Sequence, residues 1–457
     1  NQFHDILPGS SIQRVYEQAE ASYAEALATA DGIAEAAMGA LVNEAADALT
    51  VFNSLNWSRT ALVALPAGAA GAADAAGEPV VTQTVGGATL AAVTVPSCGW
   101  TTLKLTDTPA AATAGGVTVT GSSLANDRIR ATFNALGEMV SLIDLADGRE
   151  VLAAGRGNVM KMYKDVPSKF DAWDIDSMVY QTPVDLGEAP ATFEVVTQGP
   201  LVGVLRITRR INNSTLTQDV TLRAGSARLD FVTTLDWHER HRLLKVGFSG
   251  DVRATEAIHE IQFGHLRRPN HTNRQADRDQ FEVCNHKWTA LAEPGRGLAV
   301  LNDSKYGVNV AGTTINLTLM RAPLGPDGRG DAGRYTFTYA LLAWTGGLAD
   351  SSLVREAYDL NIPVRTRRGD GGTRSVLAAD APGVVVEAVK LAADGSGDVI
   401  VRLYEAHGTA ASCMLSTDLP VVRAARTDML ERNGRPLAVK DGAVALAFRP
   451  FEIKTVR

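Results

Sequence analysis

His4 and Asp5 stand side by side in the opening run Asn1-Gln2-Phe3-His4-Asp5-Ile6-Leu7-Pro8-Gly9-Ser10-Ser11. A neutral imidazole is a good zinc ligand, and a carboxylate beside it can orient a metal's shell or accept hydrogen bonds from a sugar's hydroxyls. A lone His-Asp dipeptide serves equally well as a capping or surface pair, so its meaning depends on what holds it. Pro8-Gly9-Ser10-Ser11 is turn chemistry, and the helical spacing that begins at Ile12 places a helix N-terminus directly behind it. A loop feeding a helix in this way is expected to hold His4 and Asp5 rigidly and aim them into a cleft.

Two further clusters have chemical content. From Met162 to Asp176 the chain gathers Asp165, Asp171, Asp174 and Asp176 with Tyr163, Phe170 and Trp173. Flat apolar faces for CH groups and carboxylates for hydroxyls are what a carbohydrate surface requires, although a polar, aromatic-anchored loop has the same composition. From His259 to His286 four histidines (His259, His265, His271, His286) alternate with Arg267, Arg268, Arg274 and Arg278. Their spacing matches neither HxH nor HExxH with a third ligand close behind, and the arginines would repel a cation, so no second metal site is expected there.

The elements that must position these residues change along the chain. Ser10 to about Asp47 is rich in Ala and Glu, with Ile12, Val15, Tyr16, Ala19, Tyr23, Ala26 and Leu27 at helical spacing, which predicts one or two amphipathic helices. Beyond Trp57 the pattern turns to short β-type runs separated by Gly, Ala and Pro. Phe193–Val196, Val204–Ile207 and Leu216–Leu222 read as strands, as do the runs 384–389 and 398–404, taken as neighbours. The small-residue stretch 109–114 reads as a linker, and Arg368-Gly369-Asp370-Gly371-Gly372 as a second break. The expected organisation is a helical segment over 1–50, a small β-domain over 51–115, a large sandwich over 116–368 and a terminal sandwich over 369–457.

With 457 residues the chain exceeds a single core, and a net charge of −7 argues against nucleic acid or an anionic membrane surface as main partner. No long apolar run predicts a membrane span. Cys98, Cys284 and Cys413 lie far apart, fit neither a disulfide framework nor a CxxC site, and suit a reducing, cytoplasmic setting.

The opening run closely resembles the NQFHDxLPGSSI stretch of glycoside hydrolase family 38 α-mannosidases. The resemblance continues in 162–176, similar to that family's YKDxPxxFDAWDID, and in 263–307, similar to FGxxxRPTHxN…DRxxFEVxxHKWxDLSE followed by GxALLNDCKYG. It extends to 319–340, similar to LLRAPxxPD…DxGxHxFxYAL. Departures are local: Asn270 stands where Thr is favoured, Ser304 where Cys is, and Tyr335 where His is. The resemblance implies a mainly β fold, with a helical-bundle remnant followed by antiparallel β-sandwiches, the largest a galactose mutarotase-like supersandwich. It implies that His4 is the last ligand of a single zinc ion and that Asp5 contacts mannose hydroxyls. It also implies that the remaining ligands and both catalytic carboxylates lie in an N-terminal barrel outside this chain.

On that reading the chain is the C-terminal part of a zinc-dependent retaining α-mannosidase acting on α-mannoside oligosaccharides. No catalytic residue is assigned within it, the missing barrel is its partner, and a homo-oligomer is compatible with it. The isolated chain is expected to be inactive, because one histidine and one carboxylate cannot complete a four-ligand site. The alternative is a non-catalytic carbohydrate-binding or structural β-sandwich module, since sandwiches host all three roles.

Overall fold

The structure is a computed structural model that describes residues 3–110 and 115–457. Asn1 and Gln2 of the opening motif, and residues 111–114 of the expected linker, lie outside the described residues. The chain is mostly antiparallel β-sheet, with one long helix, Gln13–Gly39, at its start. It divides into two compact units, each discontinuous in sequence.

The first unit comprises residues 1–36, 115–259 and 267–346. Seven strands of a nine-stranded sheet lie wholly within it, in spatial order Thr192–Thr197, Val202–Ile211, Ser214–Arg223, Arg228–Trp237, Gly333–Thr345, Arg296–Asn302 and Trp288–Glu293. A six-stranded sheet faces it, ordered Pro183–Val184, Val159–Lys164, Arg242–Ser249, Thr314–Arg321, Gly307–Ala311 and Val283–Cys284. The strand alternation explains the pairing. Leu205, Ile207, Leu216, Val220, Phe231 and Leu341 point inward from the first sheet, and Met160, Met162, Leu244, Val246, Phe248 and Leu317 meet them from the second in one core. Each fully buried side chain of this size contributes roughly 1.5–3 kcal/mol by leaving water.

Three of the polar residues that enter that core form a closed set. Asn158 donates to Gln218 at 2.8 Å, Gln218 to the Tyr339 hydroxyl at 2.5 Å, and Tyr339 to Asn158 Oδ1 at 2.6 Å. Each buried group therefore has a partner, without which its burial would be costly. Burial also pushes the Tyr339 hydroxyl pKa up, so it stays protonated as a donor.

The second unit comprises residues 37–114, 260–266 and 347–457. Ala48–Asn53 pairs with Gly99–Thr106 on one side and with Arg365–Arg368 on the other, and Arg374–Ser375 adds to Gly99–Thr106. The Gly/Asp-rich run 368–372 thus connects two strands of one sheet, held by the Thr50 hydroxyl donating to Gly369 O at 2.8 Å. The terminal part is a sandwich with its own core around Leu403, Leu415, Leu446 and Phe448. The runs expected as neighbours are neighbours, Val384–Leu391 pairing antiparallel with Val399–Glu405.

Candidate functional site

The opening motif folds as a tight turn ahead of the helix. The Ser10 backbone N–H donates to Asp5 O at 2.9 Å, and its hydroxyl reaches the same carbonyl at 3.3 Å. Gly9 occupies the left-handed region at φ 72°, which a side chain would make strained. Ser11 N–H donates to the Tyr16 hydroxyl at 2.8 Å, tying the turn to the first helical turn. The result is a held but open presentation. His4 Nε2 lies 3.4 Å from Asp5 Oδ2, with the side chains 59% and 40% exposed. The Phe3 ring packs edge-on against the imidazole, with centroids 5.3 Å apart.

Within the same unit the loop after Val159–Lys164 is clamped by one arginine. Arg321 donates to Asp165 Oδ2 at 2.7 Å, to the carbonyls of Ala172 and Asp171 at 3.1 and 3.2 Å, and to that of Asp174 at 2.7 Å. Asp171 is pinned from the other side by the N–H groups of Leu324 and Gly325, at 2.7 and 3.0 Å, and by His241 Nε2 at 3.1 Å. Burial alone would raise the Asp171 carboxyl, but these donors together outweigh it and hold the group below the usual carboxylate range. Asp176 accepts from Ser168 N–H at 3.1 Å. The clamp keeps Phe170 (66% exposed, φ 53°) and Trp173 (47% exposed) on the surface. Two aromatic faces are thereby presented on one clamped loop.

The segment 327–335 adjoins the start of the helix. Arg329 forks onto Asp327 at 2.9–3.2 Å, and the charges of Glu17 and Glu20 on the helix bear on its guanidinium. Burial, then the neighbouring Asp327, pushes the Asp331 carboxyl up. Burial likewise raises the Tyr16 hydroxyl, with Asp331 and Asp327 adding to it and the bond from Ser11 opposing it. Asp331 therefore belongs electrostatically with the opening turn, a link that sequence reasoning missed.

A second missed group lies under the loop on the outer face of the six-stranded sheet. Lys245 is fully buried and ion-paired to Glu282, and it also donates to Thr318 Oγ1 at 2.9 Å and to the Tyr180 hydroxyl at 3.2 Å. Tyr180 in turn donates to Glu282. Burial lowers the Lys245 pKa against the pull of Glu282. The four histidines of the 259–286 segment do not converge. His259 is buried against Thr289 Oγ1 at 3.1 Å, His265 packs on Phe451, His271 lies 3.6 Å from Asp277, and His286 packs on Tyr306. Burial brings the His259 pKa down to about 3.

The fold defines a mostly β chain of several antiparallel sheets behind one long helix, and its opening turn, clamped aromatic loop and 327–335 segment lie within one unit. The sequence matches three family models: the alpha mannosidase middle domain over 1–41, the glycosyl hydrolases family 38 C-terminal domain over 124–329, and that family's C-terminal beta sandwich domain over 383–456. The chain belongs to glycosyl hydrolase family 38 and carries its C-terminal domains. It is 38% identical to human alpha-mannosidase 2C1 over 99% of its own length and 44% of the relative's. It is 31% identical to alpha-mannosidase G of Dictyostelium discoideum over 73% of this chain and 32% of that one. The chain thus spans less than half the length of the curated relatives it matches. An alpha-mannosidase structure from Enterococcus faecalis V583 shares the fold, with TM-score 0.80 at 16% identity, covering 98% of this chain and 61% of the other.

Proposed function

We propose that this chain forms the helical and β-sandwich part of a zinc-dependent retaining α-mannosidase, in which His4 is a zinc ligand and Asp5 contacts the hydroxyls of a terminal α-mannosyl residue. The observation that carries this reading is the opening turn, which holds an imidazole and a carboxylate adjacent and solvent-facing in a family whose named relatives are α-mannosidases. His4 and Asp5 fit as contributors, not as a complete site. Among the described residues no group of three or more His, Cys, Asp or Glu could hold a metal, and a tetrahedral shell needs more donors than these. When bound, zinc would grip sugar hydroxyls and favour the distorted ring of an oxocarbenium-like transition state.

The chain's own residues have other tasks in this proposal. Asp171 is committed to His241, Leu324 and Gly325, so it is poorly suited to act as nucleophile or acid. The clamped loop offers Phe170 and Trp173 to the glycan or to the barrel that would complete the site. The test is intact mass and zinc content of the purified chain, together with hydrolysis of a chromogenic α-mannoside. We expect no stoichiometric zinc and no turnover from the chain alone, and turnover that His4→Ala abolishes once the missing region is supplied. Stoichiometric zinc with turnover at the mass of this chain would overturn the division of labour.

A further inference from the structure

The terminal sandwich contains a hollow of about 370 Å³ between the 380–383 turn and the 407–412 segment. It is open to solvent, with Asp380, Pro382, Thr409 and Ser412 exposed at its rim. The hollow exists because its walls are small: Ala349, Ala381, Gly383 and Ala411 line it. Gly383 is required there, since a Cβ would come within 2.8 Å of His407 Nδ1.

The polar groups are held in place from beneath. Glu405 is fully buried and accepts from the N–H groups of His407, Gly408, Thr409 and Phe451 at 2.8–3.1 Å, and from the Thr409 hydroxyl at 3.1 Å. This carboxylate shapes the 407–409 turn and leaves the His407 ring lining the hollow with no hydrogen-bond partner for its nitrogens among the described residues. Burial lowers the His407 pKa against Glu405, so the ring stays neutral with one donor and one acceptor. Ser412 lines the same space, its hydroxyl without a partner among the described residues, and Asp380 accepts from Met414 N–H at 2.7 Å and is hydrogen-bonded with the Cys413 side chain.

We propose that this hollow is a binding site for one or two sugar rings, recognised through their hydroxyls by His407, Asp380 and Ser412. Asp380 and the nearby charge of Asp350 disfavour an anion, and the His407 ring is the one flat face in the lining. Neutral imidazole, carboxylate and hydroxyl are the complement of a polyol. The site does not depend on the hydrolase reading and implies no bond cleavage.

The test is the His407 ε1 signal in proton–carbon NMR of the whole chain, assigned with His407→Gln and titrated with methyl α-mannoside, methyl α-glucoside, inorganic phosphate and zinc separately. The expected result is a saturable shift with a saccharide, weakened roughly tenfold or more by Ala349→Trp, with the melting profile unchanged. Ser412→Trp plugs the hollow from the other side should the first variant fold poorly. No saturable shift with either saccharide, binding indifferent to both plugs, or a response to phosphate or zinc alone would overturn the proposal.

Discussion

Replacing Arg321 by Ala should unfasten the aromatic loop. Asp165 is 2% exposed and its Oδ1 has no hydrogen-bond partner among the described residues, so its Oδ2 bond to Arg321 at 2.7 Å is what compensates the buried charge. Breaking a buried pair by removing one partner costs about 3–5 kcal/mol. Arg321 is 19% exposed and the three freed carbonyls can take up water, which places the loss near the low end, about 3 kcal/mol. In a unit of this size that lowers the melting temperature by roughly 6 °C or more. Differential scanning calorimetry measures it, and Asp165→Asn in the Arg321→Ala background should recover about 1–2 kcal/mol, since the stranded charge is then gone. Trypsin supplies a local readout: Lys169 lies in the clamped loop, and cleavage after it should accelerate well before global unfolding. A loss below about 1 kcal/mol with unchanged cleavage at Lys169 would refute the clamp, because a surface pair is worth no more than that.

Glu282→Gln should cost about 3–5 kcal/mol near neutral pH by stranding the buried Lys245 charge. The unfolded lysine holds its proton to about its ordinary 10.5 while the buried one releases it earlier, so urea denaturation should show this cost shrinking as pH rises toward that value. His259 is neutral in the fold, with its pKa brought from 6.5 to about 3, so the unfolded state binds the extra proton on acidification. The stability this contributes is whole above pH 6.5 and lost between 6.5 and about 3, and His259→Asn should flatten that part of the pH profile relative to the parent. Gly297→Ala would place a Cβ 2.0 Å from the Trp344 ring, across the strand pair that joins those two residues. A loss of about 3 kcal/mol by calorimetry is expected, and restoration by Trp344→Leu in the same chain would locate the clash.

The strands were legible where alternation is strict: Leu216, Val220 and Leu222 fall on one face, and Ser214–Arg223 forms as the pattern requires. The helix was legible from its spacing and from the turn residues before it. Lys245 and Arg321 were not, for one physical reason. Distant segments cover both: Lys245 lies on the outer face of its strand, between Leu244 and Val246 of the core, and a register shift in the pairing turns Arg321, which strict alternation would place inward, to that same face beside Leu243. Tyr180 and Glu282 reach Lys245 from 65 and 37 residues away, and Asp165 reaches Arg321 from 156. Asp331 was illegible for the same reason, since its raised pKa comes from burial and from Asp327 in the folded loop, not from any spacing. His4 and Asp5 differ: the turn the sequence implied forms and holds their backbone, while their side chains are exposed and the role expected of them rests on groups the described residues do not contain.

The helix makes that dependence measurable. Tyr16, Ala19, Tyr23, Ala26, Leu27, Ala30, Ala34 and Ala37 form one apolar stripe along Gln13–Gly39, yet only Ala19 and Met38 are buried and every residue from 21 to 33 is exposed. A stripe of this kind stabilises a helix only when something covers it, because intrinsic propensity alone leaves isolated helices marginal in water. Hydrogen exchange should therefore find the amides of 21–33 poorly protected in this chain, with protection beginning near the Ser11–Tyr16 tie and rising again toward Met38. In a longer protein that includes the region preceding Asn1, the same amides should slow by orders of magnitude. Equal protection in both would mean that the stripe needs no cover, and that the opening turn carrying His4 and Asp5 is ordered without the domain proposed to complete the site.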